Sequence, residues 1–286
     1  MDDTFRIFGA EKNVCRCYDE TERPKMKPLP GQYLQESHPE REILLILSGK
    51  TDFLLNGGKY PAVPGNIFFI DRWVPHQVNY GTIRTDFRHI WLHFHEQRLF
   101  GVLYQNNARE QLHDCRTWEH SAGLLAFLHE RWDRARKEKG HSGARQQIYC
   151  SMAHILSEEI AYQWDHQELE SSRKTDRIVS WIKNYISMKY GRDASLSELE
   201  KLTGYNRFYL MRQFKAEYGM TIGDYINCVR CGFAAAAEAQ GKRQKEIALQ
   251  LGFQSAAAYW QWRNRGRRKA LPSGNLKNAS SPKKKI

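Results

Sequence analysis

The chain has 286 residues, 41% of them hydrophobic and 27% charged, with a formal net charge of +12. That length exceeds what one small core needs and suits two domains, while the balance of apolar and charged residues is that of a globular chain. No apolar run approaches the roughly 18 residues that a membrane span requires. The segment from Met1 to Pro30 is charged throughout and lacks the apolar centre of a secretory signal, so a cytoplasmic protein is expected. Six cysteines (Cys15, Cys17, Cys115, Cys150, Cys228, Cys231) are too scattered for a disulfide framework.

The charge is unevenly placed. Residues 176–286 hold 21 Lys and Arg against 8 Asp and Glu, which leaves the first 175 residues close to neutral. No acid follows Glu246, while Arg263, Arg265, Arg267, Arg268, Lys269 and the run Lys283 to Lys285 accumulate. A basic half beside a neutral one is the electrostatic footprint of a polyanion partner, because each cation near a phosphate releases condensed counterions. The terminal lysines alone read more simply as a solvated tail.

In chain order, the first third reads as β. ILLIL (43–47) leads to Gly49, a second strand covers Thr51 to Leu55, and Asn56-Gly57-Gly58 supplies the positive-φ residues of a tight hairpin. Tyr60 to Val63, IFFID (67–71) and the alternating RHIWLHFH (88–95) complete a meander of short strands, the pattern of a sandwich or barrel. From about residue 110 the period becomes helical. Leu124, Leu125, Phe127, Leu128 and Trp132 mark one helix, and Ile148, Met152, Ile155, Leu156 and Ile160 a second. That second stripe is long enough to pair with a copy of itself, which predicts a homodimer through residues 146–162.

Polar residues 164–175 read as a connection. The expected organisation is therefore a sensing and dimerising domain over 1–165, a linker over 166–175 and a helical domain over 176–286. In the helical part, Ile178, Ile182, Tyr185 and Ile186 form one stripe. Ser195-Leu196-Ser197-Glu198 is a capping-box sequence opening a short helix that Gly204 ends, and a further helix runs from Asn206 to Tyr218. Helix, Gly-containing turn, helix is the layout of a DNA-binding helix-turn-helix. After an Ala-rich helix from Thr221 to Ala239 it recurs: LSELEKLTGYN and KEIALQLGFQ are two versions of one unit, spaced by about one 48-residue repeat.

On these residues the chain resembles the AraC/XylS family of transcription regulators. SLSELEKLTGYNRFYLMRQFKAEYGMTIGDYI and IALQLGFQSAAAY carry the resemblance over residues 176–272. EILLILSGKTDFLLNGGKYPAVPGNIFFIDRWVPHQV (42–78) and IWLHF (90–94) are similar to the family's cupin-type sensor. The implied fold class is α+β in two domains: an N-terminal cupin-like β-barrel with appended helices, and a C-terminal all-α double helix-turn-helix. The resemblance implies that the third and sixth helices of the latter enter successive major grooves. It places Arg207, Phe208, Met211, Arg212 and Lys215 on the first recognition helix, and Gln254, Ser255, Ala256, Ala257 and Gln261 on the second. Arg212 is the candidate for bidentate reading of guanine, with Arg207 and Lys215 on phosphates. The second unit departs from the pattern at Ala256, Ala257 and Ala258, and a one-residue insertion would account for the mismatch.

In the sensor, Glu36, His38, Glu42 and Gly49 follow the first cupin motif with Glu in place of its first His, and Gly65 with His76 follows the second. Two imidazoles and one or two carboxylates at one cavity have the chemistry to bind Fe, Mn or Zn. The resemblance favours a small organic effector, sugar-like, without metal or other cofactor. Its candidate contacts are Tyr33, His38, Glu42, Trp73, His76, Trp91 and His93. Cys228-x-x-Cys231 is half a zinc motif without a second pair. No P-loop, G-x-S-x-G, H-E-x-x-H or dinucleotide fingerprint is present, so no catalytic residues are assigned. The expected protein is a non-enzymatic, DNA-binding regulator, with duplex DNA, an effector, a second copy and RNA polymerase as partners. The alternative is a metal-dependent cupin enzyme carrying a vestigial DNA-binding domain.

Overall fold

A computed structural model describes residues 16–19, 35–78, 80, 85–95, 98–107, 112–138, 142–166 and 174–270. Two sheets are formed. Strands β1 (Arg16–Tyr18), β2 (Arg41–Ser48), β5 (Asn66–Ile70), β7 (Phe87–His95), β8 (Arg98–Asn107) and β9 (Leu112–His120) lie in the order β1-β5-β2-β7-β8-β9. Strands β3 (Thr51–Leu55), β4 (Gly58–Ala62) and β6 (His76–Val78) form a smaller sheet in the order β4-β3-β6. Among the described strands, only the β1–β5 pair is parallel.

Strand β2 sits near the middle of the large sheet with both faces covered, which is why it reads as an unbroken apolar run. Ile43, Leu45 and Leu47 join a core shared with two helices, α1 (Ala122–Lys137) and α2 (Ser142–His166). Leu44 and Ile46 point the other way, into an aromatic core with Phe53, Tyr60 and Phe68 between the two sheets. The same alternation sends Arg41 to the helices, where its guanidinium binds Asp71 and Asp133 and lies over the Trp132 ring. It sends Glu42 to the interior. The β3–β4 hairpin turns through Asn56 (φ 48°) and Gly57 (φ 75°), as the sequence predicts.

Strand β7 inverts the usual sense of an alternating strand. Its apolar residues Ile90, Leu92 and Phe94 face the helix-covered core, while Trp91 and His93, and with them His89, lie on the opposite face. Strands β8 and β9 lie where the sequence reading expects helix or makes no assignment. In β8 the stretch from Leu99 to Leu103 is buried continuously, so it has no period-two pattern. Trp118 of β9 packs so closely on Gly101 that a Cβ there would approach its ring to 2.3 Å.

The apolar stripe of α2 is used within the chain. Met152, Leu156 and Ile160 are buried against the large sheet and α1, with Tyr149 stacked on Phe69 at 4.2 Å. These three positions are therefore covered by the chain's own sheet and not left free for a second copy, while Ile148 and Ile155 of the same stripe are half-buried.

The helical part comprises α3 (Lys174–Met188), α4 (Leu196–Thr203), α5 (Arg207–Tyr218), α6 (Ile222–Ala239), α7 (Gln244–Gln250) and α8 (Ala256–Ala270). Ser195 and Asn206 cap α4 and α5, and Gly204 (φ 72°) ends α4. Ile182, Ile186, Leu199, Leu210 and Phe214 form one core, and Phe233, Ala237, Ile247, Leu251 and Tyr259 a second. Helix α6 contributes Ile222 to the first and Phe233 to the second, so it joins the two units as a shared wall.

Two histidines are held neutral by their surroundings. Burial pushes His89 and His120 down to about 4. Trp118 Nε1 donates to His120 Nε2 at 2.9 Å, a bond that requires an unprotonated acceptor. A histidine whose folded pKa is depressed contributes stability above its unfolded value near 6.5 that is lost as pH falls through about 4. Urea unfolding is expected to show stability dropping between these limits, by at most about 3 kcal/mol per histidine. The drop shrinks in His120→Gln, and an unchanged pH profile in that variant would contradict the assignment.

Candidate functional site

The inner face of the sandwich carries a buried polar cluster centred on Glu42. Its Oε1 lies 2.6 Å from His93 Nδ1 and 3.3 Å from His38 Nε2, and its Oε2 lies 3.0 Å from His76 Nε2. His38 Nε2 and His76 Nε2 are 3.3 Å apart. His76 Nδ1 lies 2.9 Å from the carbonyl oxygen of Val74, which fixes that nitrogen as the N–H and leaves Nε2 toward the cluster. His38, Glu42 and His76 are all under 5% exposed. The backbone ties the segment before His38 to His76: Glu36 and His76 exchange amide and carbonyl bonds in an isolated antiparallel bridge, and the amide of Trp73 donates to the carbonyl oxygen of His38 at 2.7 Å.

A carboxylate buried this deeply requires a positive counterpart. Burial opposes ionisation of Glu42, but the imidazoles of His38 and His93 outweigh it and hold the carboxyl well below its ordinary 4.5. Burial likewise opposes the charged form of His38, yet Glu42 and then Glu40 raise it to about 9. This pair contributes stability that is full below the unfolded histidine value near 6.5 and is lost as pH rises through about 9.

The expected effector residues divide into two places. His38, Glu42, His76 and His93 form the cluster, and Trp91 lies beside it, its ring 6.1 Å from that of His76 and its Nε1 donating to Tyr80. Trp73 sits elsewhere. It packs on Phe233 of α6 and lines a cleft of about 210 Å³ between the sandwich and the helices, with Gln35, Ser37, Lys242, Glu246 and Gln250. Tyr33 lies outside the described residues.

The sequence gives no warning of what joins the cluster to the helical part. Tyr190, in the turn after α3, donates to Glu40 Oε2 at 2.7 Å and packs its ring 5.3 Å from that of His38. Arg192 binds Glu36, and Gln250 donates to the carbonyl oxygen of Gln35 at 3.0 Å. Burial disfavours charge on Glu36, but Lys189 and Arg192 outweigh it and lower its pKa. Gly252 (φ 75°) lets Arg192 pass: a Cβ there would meet its side chain at 2.7 Å. These contacts are non-local pairings of single residues, without a motif.

On the helical part, Arg207, Phe208, Met211, Arg212 and Lys215 all emerge on the exposed side of α5, with Phe208 76% exposed. Arg207 is anchored by Glu200, whose carboxylate also accepts from its backbone N–H. In the second unit, Ser255 caps α8 by accepting from the N–H of Ala258, the role Asn206 plays for α5 with Tyr209. Gly204 precedes its cap by two residues and Gly252 by three, so the second turn holds one extra residue. Aligned on the caps, Leu210 matches buried Tyr259, Met211 matches Trp260 and Arg212 matches Gln261. Ala257, Trp260 and Gln261 are exposed together, and Gln254 and Ser255 are exposed before them, while Ala256 is half-buried. Trp260, 56% exposed, is absent from the sequence-based candidates. Arg263 takes the position of buried Phe214 and pairs with Glu238 through two hydrogen bonds. It is therefore occupied within the fold.

The cysteine pair of α6 gives no metal geometry. Cys228 is exposed, Cys231 is half-buried, and His38, Glu42 and His76 form the metal-competent group found among the described residues.

The family model described as the AraC-like ligand binding domain matches residues 32–149. Over those residues the chain is similar to an AraC-like ligand-binding domain. An uncharacterised HTH-type transcriptional regulator of Bacillus subtilis, YbfI, is 29% identical over 100 residues, 35% of this chain. The match spans 36% of that relative's own length. Among solved structures, an apo variant of ToxT from Vibrio cholerae aligns at 11% identity over 80% of this chain and 86% of that one, with a TM-score of 0.28. An unsaturated fatty acid bound form of ToxT aligns at 14% identity over 80% and 84%, with a TM-score of 0.27. The α+β class expected from the sequence stands, with two facing sheets and two appended helices ahead of an all-helical part.

The Glu42 cluster separates buried from exposed electrostatics. Replacing Glu42 with Leu leaves the imidazoles without their counter-charge and is expected to cost about 3–5 kcal/mol in urea unfolding. Glu119→Ala, which removes only the exposed partner of Arg98, is expected to cost under about 1 kcal/mol. Equal losses in the two variants would contradict this account of the cluster.

Proposed function

We propose that the chain is a sequence-specific, DNA-binding transcription regulator whose AraC-like domain senses a small effector. The observation that carries this reading is the cap-aligned equivalence of α5 and α8. Two helix-turn-helix units expose side chains at three matching positions, Phe208 and Ala257, Met211 and Trp260, Arg212 and Gln261, on helices held by one shared wall, α6, and the basic excess of the chain lies in the same half. Arg212 has the guanidinium for bidentate contact with guanine, and Lys215, one turn on, the charge for phosphate. Gln261 occupies the matching position in α8 and has the donor and acceptor for adenine. Trp260 and Phe208 add apolar surface suited to thymine methyls.

The effector, in this reading, is small, polar and sugar-like. The cleft of about 210 Å³ falls below the roughly 300 Å³ at which drug-sized pockets begin, and it combines the Trp73 face with amide, hydroxyl, ammonium and carboxylate groups. A ligand there touches both halves of the chain, which is what differential affinity for two arrangements requires. The reading is of a cytoplasmic, non-enzymatic protein that acts as a homodimer and meets RNA polymerase at its promoter. Because Met152, Leu156 and Ile160 of the α2 stripe are covered within the chain, the dimer contact is assigned to other surface, such as the face of α2 bearing Tyr162, 59% exposed.

Competition binding of the full chain to sites selected from a random duplex pool tests the DNA reading. Arg212→Ala is expected to lose about 1–3 kcal/mol of discrimination at one base position. Lys215→Ala is expected to weaken all sequences alike and to reduce the salt slope by about 1. Full discrimination retained by Arg212→Ala would overturn the assignment. A thermal-shift screen over monosaccharides and sugar acids tests the effector: a shift that Trp73→Ala abolishes supports the cleft, and no shift across the panel contradicts a sugar.

A further inference from the structure

We propose that His38, Glu42 and His76 bind one divalent first-row transition-metal ion, and that the helical half of the chain senses its occupancy through Glu40 and Tyr190. This goes beyond an organic effector in the cleft, and its binding step does not depend on the DNA reading.

The argument begins with spacing. Four donor atoms from three side chains lie close together: His38 Nε2 is 3.3 Å from both His76 Nε2 and Glu42 Oε1, and His76 Nε2 is 3.0 Å from Glu42 Oε2. Ligands at about 2.0–2.1 Å from a shared ion, set at octahedral to tetrahedral angles, lie about 2.9–3.4 Å apart. The donor set of two imidazoles and one carboxylate suits Fe(II), Mn(II) or Zn(II) and leaves further positions open. A cavity of about 10 Å³ beside His38, also lined by Glu36, Tyr190 and Arg192, has room for roughly one water.

The groups behind His76 and Glu42 are arranged as a metal site needs them, while His38 Nδ1 has Glu40 at ion-pair distance and makes no hydrogen bond. His76 Nδ1 is committed to the Val74 carbonyl, so its Nε2 carries the lone pair toward the ion. Glu42 is oriented by His93, and His38 Nδ1 lies 3.8 Å from Glu40 Oε2. Glu40 in turn accepts from Tyr190 of the helical part and interacts with His95. A chain of direct contacts therefore runs from the ligand His38 through Glu40 to the turn between α3 and α4. An ion that fixes the His38 ring fixes the surface on which Tyr190 rests.

The test uses the full chain, stripped with a chelator and then dialysed against Zn(II), Mn(II) or Fe(II) alone, with bound metal counted by mass spectrometry. About one equivalent is expected for the parent chain, and much less than one for both His76→Ala and Glu42→Gln, each checked for folding by circular dichroism. Glu40→Gln, behind the ligands, is expected to retain the site with affinity weakened about 10–100-fold. Hydrogen exchange of residues 188–192 is expected to slow on adding the metal that binds. Failure of all three ions to bind near one equivalent overturns the site, as does binding that survives both ligand substitutions. Binding with unchanged exchange at 188–192 overturns the sensing step. None of these outcomes involves DNA, so they leave the regulator reading to its own test.

Discussion

A carboxylate 4% exposed at the centre of the sandwich sets the terms for what surrounds it. Glu42 lies directly before the apolar run Ile43 to Leu47 of its strand, and an uncompensated charge there would cost several kcal/mol. The fold answers with imidazoles from three directions: His38 from the preceding loop, His76 from the small sheet and His93 from the neighbouring strand. The inverted polarity of β7 follows from this demand. Its His and Trp face turns inward because the interior contains a charge, and its apolar face turns outward because α1 and α2 cover it. The two sheets are thereby tied by electrostatics as well as by the aromatic core beneath.

The same cluster lies at the edge where the helices dock. Glu36 and Glu40, on either side of His38, are engaged by Arg192 and Tyr190, and Trp73, within the turn that opens at Arg41-bound Asp71, packs on α6. The second helix-turn-helix unit, through Gln250 and Lys242, therefore contacts the sandwich more directly than the first does. That unit also has the longer turn, and Arg263 in place of a buried aromatic. The asymmetry has a physical reading in the regulator we propose: α5 presents its side chains freely, whereas α8 belongs to the unit whose supporting helix, α7, is held by the sensor.

Much of this could be read in the sequence where local rules operate. The β3–β4 hairpin, the apolar β2 and β5 runs and the caps at Ser195 and Asn206 each follow from residues adjacent in the chain. So does the exposed set on α5, because a cap and a Gly fix the helix phase. Strands β8 and β9 were hidden, since burial on both faces of β8 erases the alternation that identifies a strand. The fate of the α2 stripe was also hidden, because an apolar face shows that something covers it without saying whether that is a sheet or a second copy. At the site, His38, Glu42 and His76 were legible as chemistry, whereas Trp73 was grouped with them and lies outside their cluster. Tyr190, Arg192 and Glu40 carry no sequence signal, for their roles arise only when segments about 150 residues apart meet.

The central claim is that one chain couples a polar sensor interior to a paired DNA grip. Hydrogen exchange of the full chain with and without a saturating duplex, selected from a random pool, tests it most directly. The account predicts slowed exchange in α5 and α8 together, with a change at residues 35–42 and 188–192 where the halves touch. Slowed exchange confined to α1 and α2, with α5 and α8 unaffected, would contradict it.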